Sequence, residues 1–384
     1  MKALAFLFFI ITSSGETWKI VIPEPTWSPL KVKIKSERRE LLPELLSLLE
    51  FTEFYLFDFE GKSDFEITIK VEEREAIIEI EDFSGKKKTS FVCNLNDPSF
   101  SEKVADRIVE ETMGIKGYFT GRLVFVSDVK RNKELFTMDI KGRKVEQLTE
   151  LKKTILGVRA EAECKWISFT LLTGGHSEIY LWKEGKLERF ITEPGFKTGL
   201  SLSPDGLLAV YTGLENGEPK IFLKDLRSGK SSVLIPSRAP EVSAVFSPDG
   251  RKIAYVSEKP GSPAIYVFDM EKKSSERISY RSNYCTSPTW SGDGLFLAYT
   301  CLDPTGEMNI YIYEFKNKTE RRITGDARSN ESPSFYPYGH FLAFTSNRTG
   351  NYEIYITDIW GKFLKKLTNS PSNEYEVVWC GERQ

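Results

Sequence analysis

The chain has only two histidines, His176 and His340, and two glutamines, Gln147 and Gln384, in 384 residues. Neither histidine has a recognisable catalytic partner, and both fall near turns, which excludes most imidazole chemistry. No Gly-x-Ser-x-Gly elbow, no His-Glu-x-x-His and no glycine-rich loop opening a helix occurs, so the serine-hydrolase, zinc-protease and phosphate-cradling signatures are all missing. The five cysteines (Cys93, Cys164, Cys285, Cys301 and Cys380) are scattered, odd in number and match no zinc spacing. They read as single buried thiols, with a Cys285–Cys301 bridge left open in an oxidising compartment. Charge of one sign is also lacking: 53 Lys and Arg stand against 55 Asp and Glu, which argues against nucleic acid and anionic membranes as partners. Scarce glutamine beside abundant Lys and Glu is a bias of hyperthermophile proteins. No apolar run is long enough to cross a bilayer, so no direct membrane insertion is expected.

The apolar run that does exist is short and lies at the start. Met1-Lys2, an apolar stretch over 3–11 and then Thr12-Ser13-Ser14-Gly15 read as a secretory signal peptide cut after Gly15. Over the next hundred residues the pattern changes repeatedly. Strands are expected over 18–22, 30–34, 55–59, 65–71, 76–80 and 89–93, and helices over 41–50 and 99–113. Phe100, Val104 and Ile108 recur every four residues and should face the sheet.

From residue 118 onward the chain repeats. Ser203-Pro204-Asp205-Gly206, Ser247-Pro248-Asp249-Gly250, Ser291-Gly292-Asp293-Gly294 and the worn Tyr336-Pro337-Tyr338-Gly339 place their glycines 44, 44 and 45 residues apart. A fixed period in this range marks a repeat architecture. Asp205, Asp249 and Asp293 read as turn formers, with Gly taking the left-handed position. Two aromatic series keep the same beat: Phe125, Phe169, Tyr211, Tyr255, Tyr299, Phe344, and Phe136, Tyr180, Phe222, Tyr266, Tyr311, Tyr355. A third series sets a hydroxyl after an apolar residue at Thr149, Thr192, Ser279, Thr324 and Thr368, with Pro236 in the sixth place. Four strands per period make a propeller blade. The first unit opens at Gly121 with its second strand, and the missing first strand recurs at 376–379, where Trp379 aligns with Trp290. The expected fold is an N-terminal small α/β domain (16–117) followed by an all-β six-bladed propeller (118–384) closed by the C-terminal strand, after a signal peptide (1–15). No cofactor is indicated; a Ca²⁺ or a carboxylate dyad on the propeller axis stays open because acids are plentiful.

Taken together, these features resemble the TolB family of periplasmic Tol–Pal proteins. The resemblance rests on residues 16–22, on Ile108 to Gly114 with Gly117 to Val126, and on the blades, most closely on 334–358 with Thr345-Ser346-Asn347-Arg348-Thr349-Gly350-Asn351. It implies a non-enzymatic periplasmic monomer. In that family the propeller mouth binds Pal, a peptidoglycan-associated lipoprotein, and the mature N-terminal segment binds TolA, an inner-membrane protein. The complex supports outer-membrane integrity and constriction at division.

Carried onto this chain, the mouth falls on the connections between blades, with Arg238, Glu241, Arg281, Asn283, Thr286, Arg328, Asn330, Glu331, Asn373 and Glu374 as candidates. Thr286 matches a family position at the mouth, whereas a histidine of some relatives falls at Pro240. The TolA segment would be Glu16, Trp18, Ile20 and Ile22, an extended stretch suited to adding a strand to a partner's sheet. Two other classes fit the composition: an exported metal-dependent propeller hydrolase and a glycan-binding propeller.

Overall fold

Alternation of apolar and polar residues in the first hundred positions resolves into one sheet. The computed structural model describes residues 30–51, 55–57, 64–82, 88–113, 117–129, 132–183, 185–191, 193–339 and 341–381. The expected signal peptide, the strand at 18–22 with Glu16, Trp18, Ile20 and Ile22, and His340 lie outside the described residues. The chain divides into two compact units, the first reaching Thr120 and the second starting at Gly121.

In the first unit Leu30–Ser36 pairs in parallel with Tyr55–Phe57 on one side and Phe65–Glu72 on the other. Glu75–Asp82 and Lys88–Asn94 then extend the sheet antiparallel. Ile67 and Ile69 meet Ile80 and Ile78 across the ladder, and all four are buried. Helix α1 (Leu42–Phe51) carries Pro43 in its first turn, where a missing N–H costs nothing, and buries Leu45, Leu48 and Leu49. Helix α2 (Phe100–Met113) packs against α1 and the last two strands. Its buried positions Phe100, Val104, Ala105, Ile108 and Val109 form the expected stripe. Asp106, fully buried in mid-helix, accepts hydrogen bonds from the Phe119 amide (2.6 Å), the Thr120 amide (3.0 Å) and the Thr120 hydroxyl (2.8 Å). That anchoring keeps residues 118–120 with the first unit.

In the second unit the described residues form six four-stranded sheets, antiparallel throughout. Five are consecutive in sequence. In the sixth, Glu374–Cys380 pairs with Arg122–Ser127, setting Trp379 opposite Leu123 just as Trp290 stands opposite Leu297.

The repeated residues now have structural reasons. Each member of the first aromatic series faces its partner in the second directly across the ladder, as Phe125 faces Phe136 and Tyr255 faces Tyr266. Ring centroids lie 5.5 to 5.9 Å apart in five of the six pairs. Such pairs contribute about 0.5–1.5 kcal/mol beyond area burial. The hydroxyl series accepts a third-strand amide that would otherwise be orphaned: Leu135 donates to Thr149 (3.0 Å), Ile265 to Ser279 (2.8 Å), Ile310 to Thr324 (2.8 Å) and Ile354 to Thr368 (2.9 Å). The turns follow one scheme: Ser203 Oγ donates to Asp205 Oδ1 (2.6 Å) and accepts the Leu208 amide (2.9 Å), with Gly206 left-handed.

The cysteines depart from expectation. Cys285 and Cys301 stand opposite each other and are bridged, and Cys164 is bridged to Cys380. The bridge left open between Cys285 and Cys301 is therefore formed, and the reading of single buried thiols fails for four of the five; Cys93 is free but only half-buried.

Candidate functional site

The inner strand of each sheet runs between two sets of loops. One end carries the Ser-Pro-Asp-Gly turns; the other receives the connection from the preceding sheet. The ten candidate residues cluster at that second end, but the structure divides them. Arg238, Arg281, Asn283 and Arg328 are exposed. Thr286, Glu331 and Asn373 are half-buried. Glu241, Asn330 and Glu374 are buried, because each lies in the first two residues of its strand or opens it, with the side chain turned inward.

Buried Asn330 and half-buried Asn373 hold the connections in shape. Asn330 Nδ2 donates to Asn309 Oδ1 (3.0 Å) while its Oδ1 accepts Arg348 Nη2 (3.0 Å). Asn373 Nδ2 donates to Asp128 Oδ2 (3.0 Å), and Asn373 Oδ1 accepts the Tyr352 amide (3.0 Å). Burial works to raise the Asp128 carboxyl, but the Asn373 and Tyr375 hydrogen bonds outweigh it and hold the group below its ordinary range. Glu374 moves the other way: burial, with Glu353 beside it, pushes its carboxyl up to about 8. Burial also raises Glu241.

The connection before Cys285–Trp290 is the most exposed in aromatic terms. Tyr280 is 70% exposed and Tyr284 41%, flanking Arg281 and Asn283. Leu302, 39% exposed, sits beside Tyr284 through its amide bond to the Tyr284 carbonyl (2.9 Å). The loop is pinned by Glu320, whose Oε2 accepts the Tyr280 and Arg281 amides (3.1 Å each) and whose Oε1 accepts the buried Tyr299 hydroxyl (2.9 Å). Reading the connections for polar groups alone missed these two tyrosines; the signal was an aromatic on either side of Arg281 in an otherwise hydrophilic stretch.

A second feature lies between the inner strands. A cavity of about 760 Å³ is lined by residues of all six sheets and reaches the prolines of the turns, Pro204, Pro248 and Pro337. At the same point on each inner strand the ladder shifts by a bulge. One residue there is left-handed: Gly157 (φ 67°), Gly199 (68°), Ser243 (58°), Ser287 (54°), Ser332 (52°) and Glu376 (48°). Glu376 Oε2 accepts the Val158 amide (2.9 Å), and Arg159 Nη1 donates to the Val158 carbonyl (2.9 Å). Burial lowers the Arg159 guanidinium from its ordinary value, and the Glu376 charge opposes that shift. Among the described residues no three His, Cys, Asp or Glu side chains converge as metal ligands, and no helix is long and apolar enough to cross a membrane.

Comparison with known proteins bears on this architecture. The chain is 27% identical over 123 residues to the Tol-Pal system protein TolB of Desulfotalea psychrophila, a stretch covering 31% of this chain and 28% of that protein. It is 31% identical over 99 residues to the Tol-Pal system protein TolB of Ruegeria, covering 25% of this chain and 22% of the other. The matched stretch thus spans about a quarter of the length of these curated relatives. The crystal structure of TolB from Acinetobacter baumannii superposes with a TM-score of 0.81 at 20% identity, covering 92% of this chain and 97% of that one, which shows the same propeller fold with a small α/β region before it. A model of the TolB beta propeller domain matches residues 109–304, just over half of the chain. The chain therefore belongs to the TolB beta propeller family.

Proposed function

We propose that this chain is a non-enzymatic, periplasmic scaffold of the Tol–Pal system. Residues 1–15 are its signal peptide, 16–117 the small α/β domain and 118–384 the propeller. The six sheets are six blades, and Glu374–Cys380 closes the ring by completing the first. The mouth at the connection end binds a Pal-like lipoprotein, and the mature N-terminal segment with Glu16, Trp18, Ile20 and Ile22 binds a TolA-like inner-membrane protein. Through both contacts the protein supports outer-membrane integrity and constriction at division.

One observation carries the reading: in a TolB-family propeller, the exposed Tyr280 and Tyr284 flank the exposed Arg281 and Asn283 on a loop pinned by Glu320. Tyrosine and arginine on a rigid, exposed loop are the residue types that anchor protein interfaces. Arg238 and Arg328 repeat the basic character on the neighbouring connections, while Asn330 and Asn373 hold the loops through their side-chain hydrogen bonds.

Affinity capture from an envelope extract tests this. The folded wild-type protein should recover a peptidoglycan-associated lipoprotein, and the combined Arg281→Ala, Asn283→Ala, Thr286→Ala variant should lose it. Failure of the folded wild-type protein to recover any such lipoprotein overturns the reading.

A further inference from the structure

Two charged side chains stand in the axial cavity where the repeat otherwise supplies small or neutral ones. Glu376 occupies the left-handed bulge position that is Gly or Ser in the other five sheets. A glutamate there is strained, because its Cβ crowds the backbone at positive φ, and such strain persists only where the surroundings impose it. Arg159 lies two residues after its own bulge, where the other strands have Ser201, Val245, Thr289, Ser334 and Val378.

The two charges are held side by side. Glu376 takes the N–H of Val158 and Arg159 the carbonyl of the same residue, so both side chains are anchored within one residue's length. Among the described residues Arg159 makes no ion pair and this single hydrogen bond, which leaves four of its five N–H donors for another acceptor. Glu376 likewise keeps one oxygen without a donor among the described residues. Around them Ser243, Ser287 and Ser332 line the cavity, and their hydroxyls make no hydrogen bond to protein among the described residues. The third charged lining residue, Glu161, is occupied in its own turn by the Lys165 amide (2.8 Å).

We propose that this cavity binds a zwitterion of the amino-acid type, with Arg159 receiving the carboxylate, Glu376 the ammonium group and the serine ring the remaining polar atoms. An α-amino acid carries its opposite charges on neighbouring atoms, as the site carries its own. A simple anion would give Glu376 no opposite charge, and a simple cation would give Arg159 none, in a cavity where both side chains are half-buried. The cavity is several times larger than one amino acid, leaving room for a side chain or for a chain to which the zwitterion is attached. It reaches the turn end of the inner strands, away from the connections, so the proposal stands or falls independently of the Tol–Pal reading.

Titration calorimetry on the purified full chain tests it, with alanine, acetate, ethylammonium and glucose as probes. A short peptide bearing a lysine linked through Nζ, whose α-groups are free, separates a free amino acid from a chain-borne one. Alanine or that peptide should bind, and acetate and ethylammonium at least about tenfold more weakly. Arg159→Ser and Glu376→Gln each remove one charge, the second keeping an oxygen that can accept the Val158 amide, and each should weaken binding at least about tenfold while the melting temperature is kept. Acetate or glucose binding as tightly as alanine overturns the proposal. So does binding insensitive to both variants, or no binding of either zwitterion at millimolar concentration.

Discussion

Cys164 and Cys380, separated by 216 residues in sequence, are joined by a disulfide across a Cα–Cα distance of 5.4 Å. Cys164 ends the turn that follows strand Thr154–Ala160, and Cys380 ends the strand that pairs with Arg122–Ser127. The Gly381 amide adds a bond to the Ala162 carbonyl at 2.7 Å. The last strand is thus fastened to two sheets at once, by its ladder to one and by the crosslink to the next.

A bridge closing so long a loop restricts the unfolded chain strongly, a contribution of about 3–5 kcal/mol. Cys380→Ser, or reduction of the wild-type protein, should lower the thermal midpoint of the second unit by several degrees. The Cys285–Cys301 bridge closes a short hairpin and should contribute less; Cys301→Ser separates the two. An unchanged midpoint in Cys380→Ser would mean the C-terminal strand is held by its ladder and the Gly381–Ala162 hydrogen bond without help from the bridge.

The buried Glu374 predicts a pH dependence. Its carboxyl is pushed from an ordinary 4.5 up to about 8 in the folded protein, first by burial and then by Glu353. Lys366 pairs with Glu353 at 3.2 Å, and Asp128 adds a further negative charge. Between these two values the folded state holds a proton that the unfolded state has released. Stability from this site is therefore greatest at low pH and falls as pH rises from about 5 to about 8, by roughly 2–4 kcal/mol. Glu374→Gln keeps the shape and removes the titration, so its denaturation midpoint should vary less over that window. A wild-type curve that rises with pH there, with the variant following it, would contradict the assignment.

What could be read beforehand depended on whether a structural demand is met by a residue type or by the backbone. In four of the six sheets the amide-accepting hydroxyl is a Ser or Thr fourteen residues after its donor, as in Leu135 and Thr149, so it showed as a series. The opposed aromatic rings did the same. The bulge ring did not, because Gly157, Ser287 and Glu376 share a backbone angle and no side-chain chemistry. The burial of Glu241, Asn330 and Glu374 was hidden by the period of two: a polar residue at a strand's start faces inward or outward according to register, which the sequence of one connection does not state. The Cys164–Cys380 pairing was out of reach for a different reason, since nothing local relates residues 216 positions apart.

Gly117 and Asp106 make a second stability test, in the first unit. A Cβ on Gly117 would lie 2.3 Å from Asp106 Cα and 2.4 Å from its Oδ1, and the first of these is backbone that cannot swing away. Gly117→Ala should therefore cost about 1–3 kcal/mol through displacement of α2 or of the segment after it. Asp106→Ala removes the acceptor for two amides and a hydroxyl and should cost about 2–4 kcal/mol. Because both changes act on one contact, the double variant should lose less than the sum of the two. Chemical denaturation of the three variants decides this, and full additivity would show that the glycine and the aspartate act separately.

The recurring turn offers the last test, because one copy lacks its hydroxyl. Ser247 Oγ donates to Asp249 Oδ1 (2.6 Å) and accepts the Lys252 amide (2.9 Å), while Asp249 Oδ1 also accepts the Arg251 amide (3.1 Å). Ser247→Ala leaves the Lys252 amide without that acceptor and should cost about 1–2 kcal/mol. At the worn copy Tyr336 takes the serine's place, nearly fully buried, with its ring centroid 5.3 Å from that of Trp379. There the backbone turn survives through the Tyr336 amide bond to the Phe341 carbonyl (2.9 Å), and ring packing replaces the hydroxyl network. Tyr336→Ser restores the motif of the other copies but empties the space beside Trp379. If packing dominates at this position, the substitution destabilises by about 3 kcal/mol or more, although it makes the repeat more regular. A neutral or stabilising result in thermal denaturation would show that the turn's hydrogen bonds outweigh the ring.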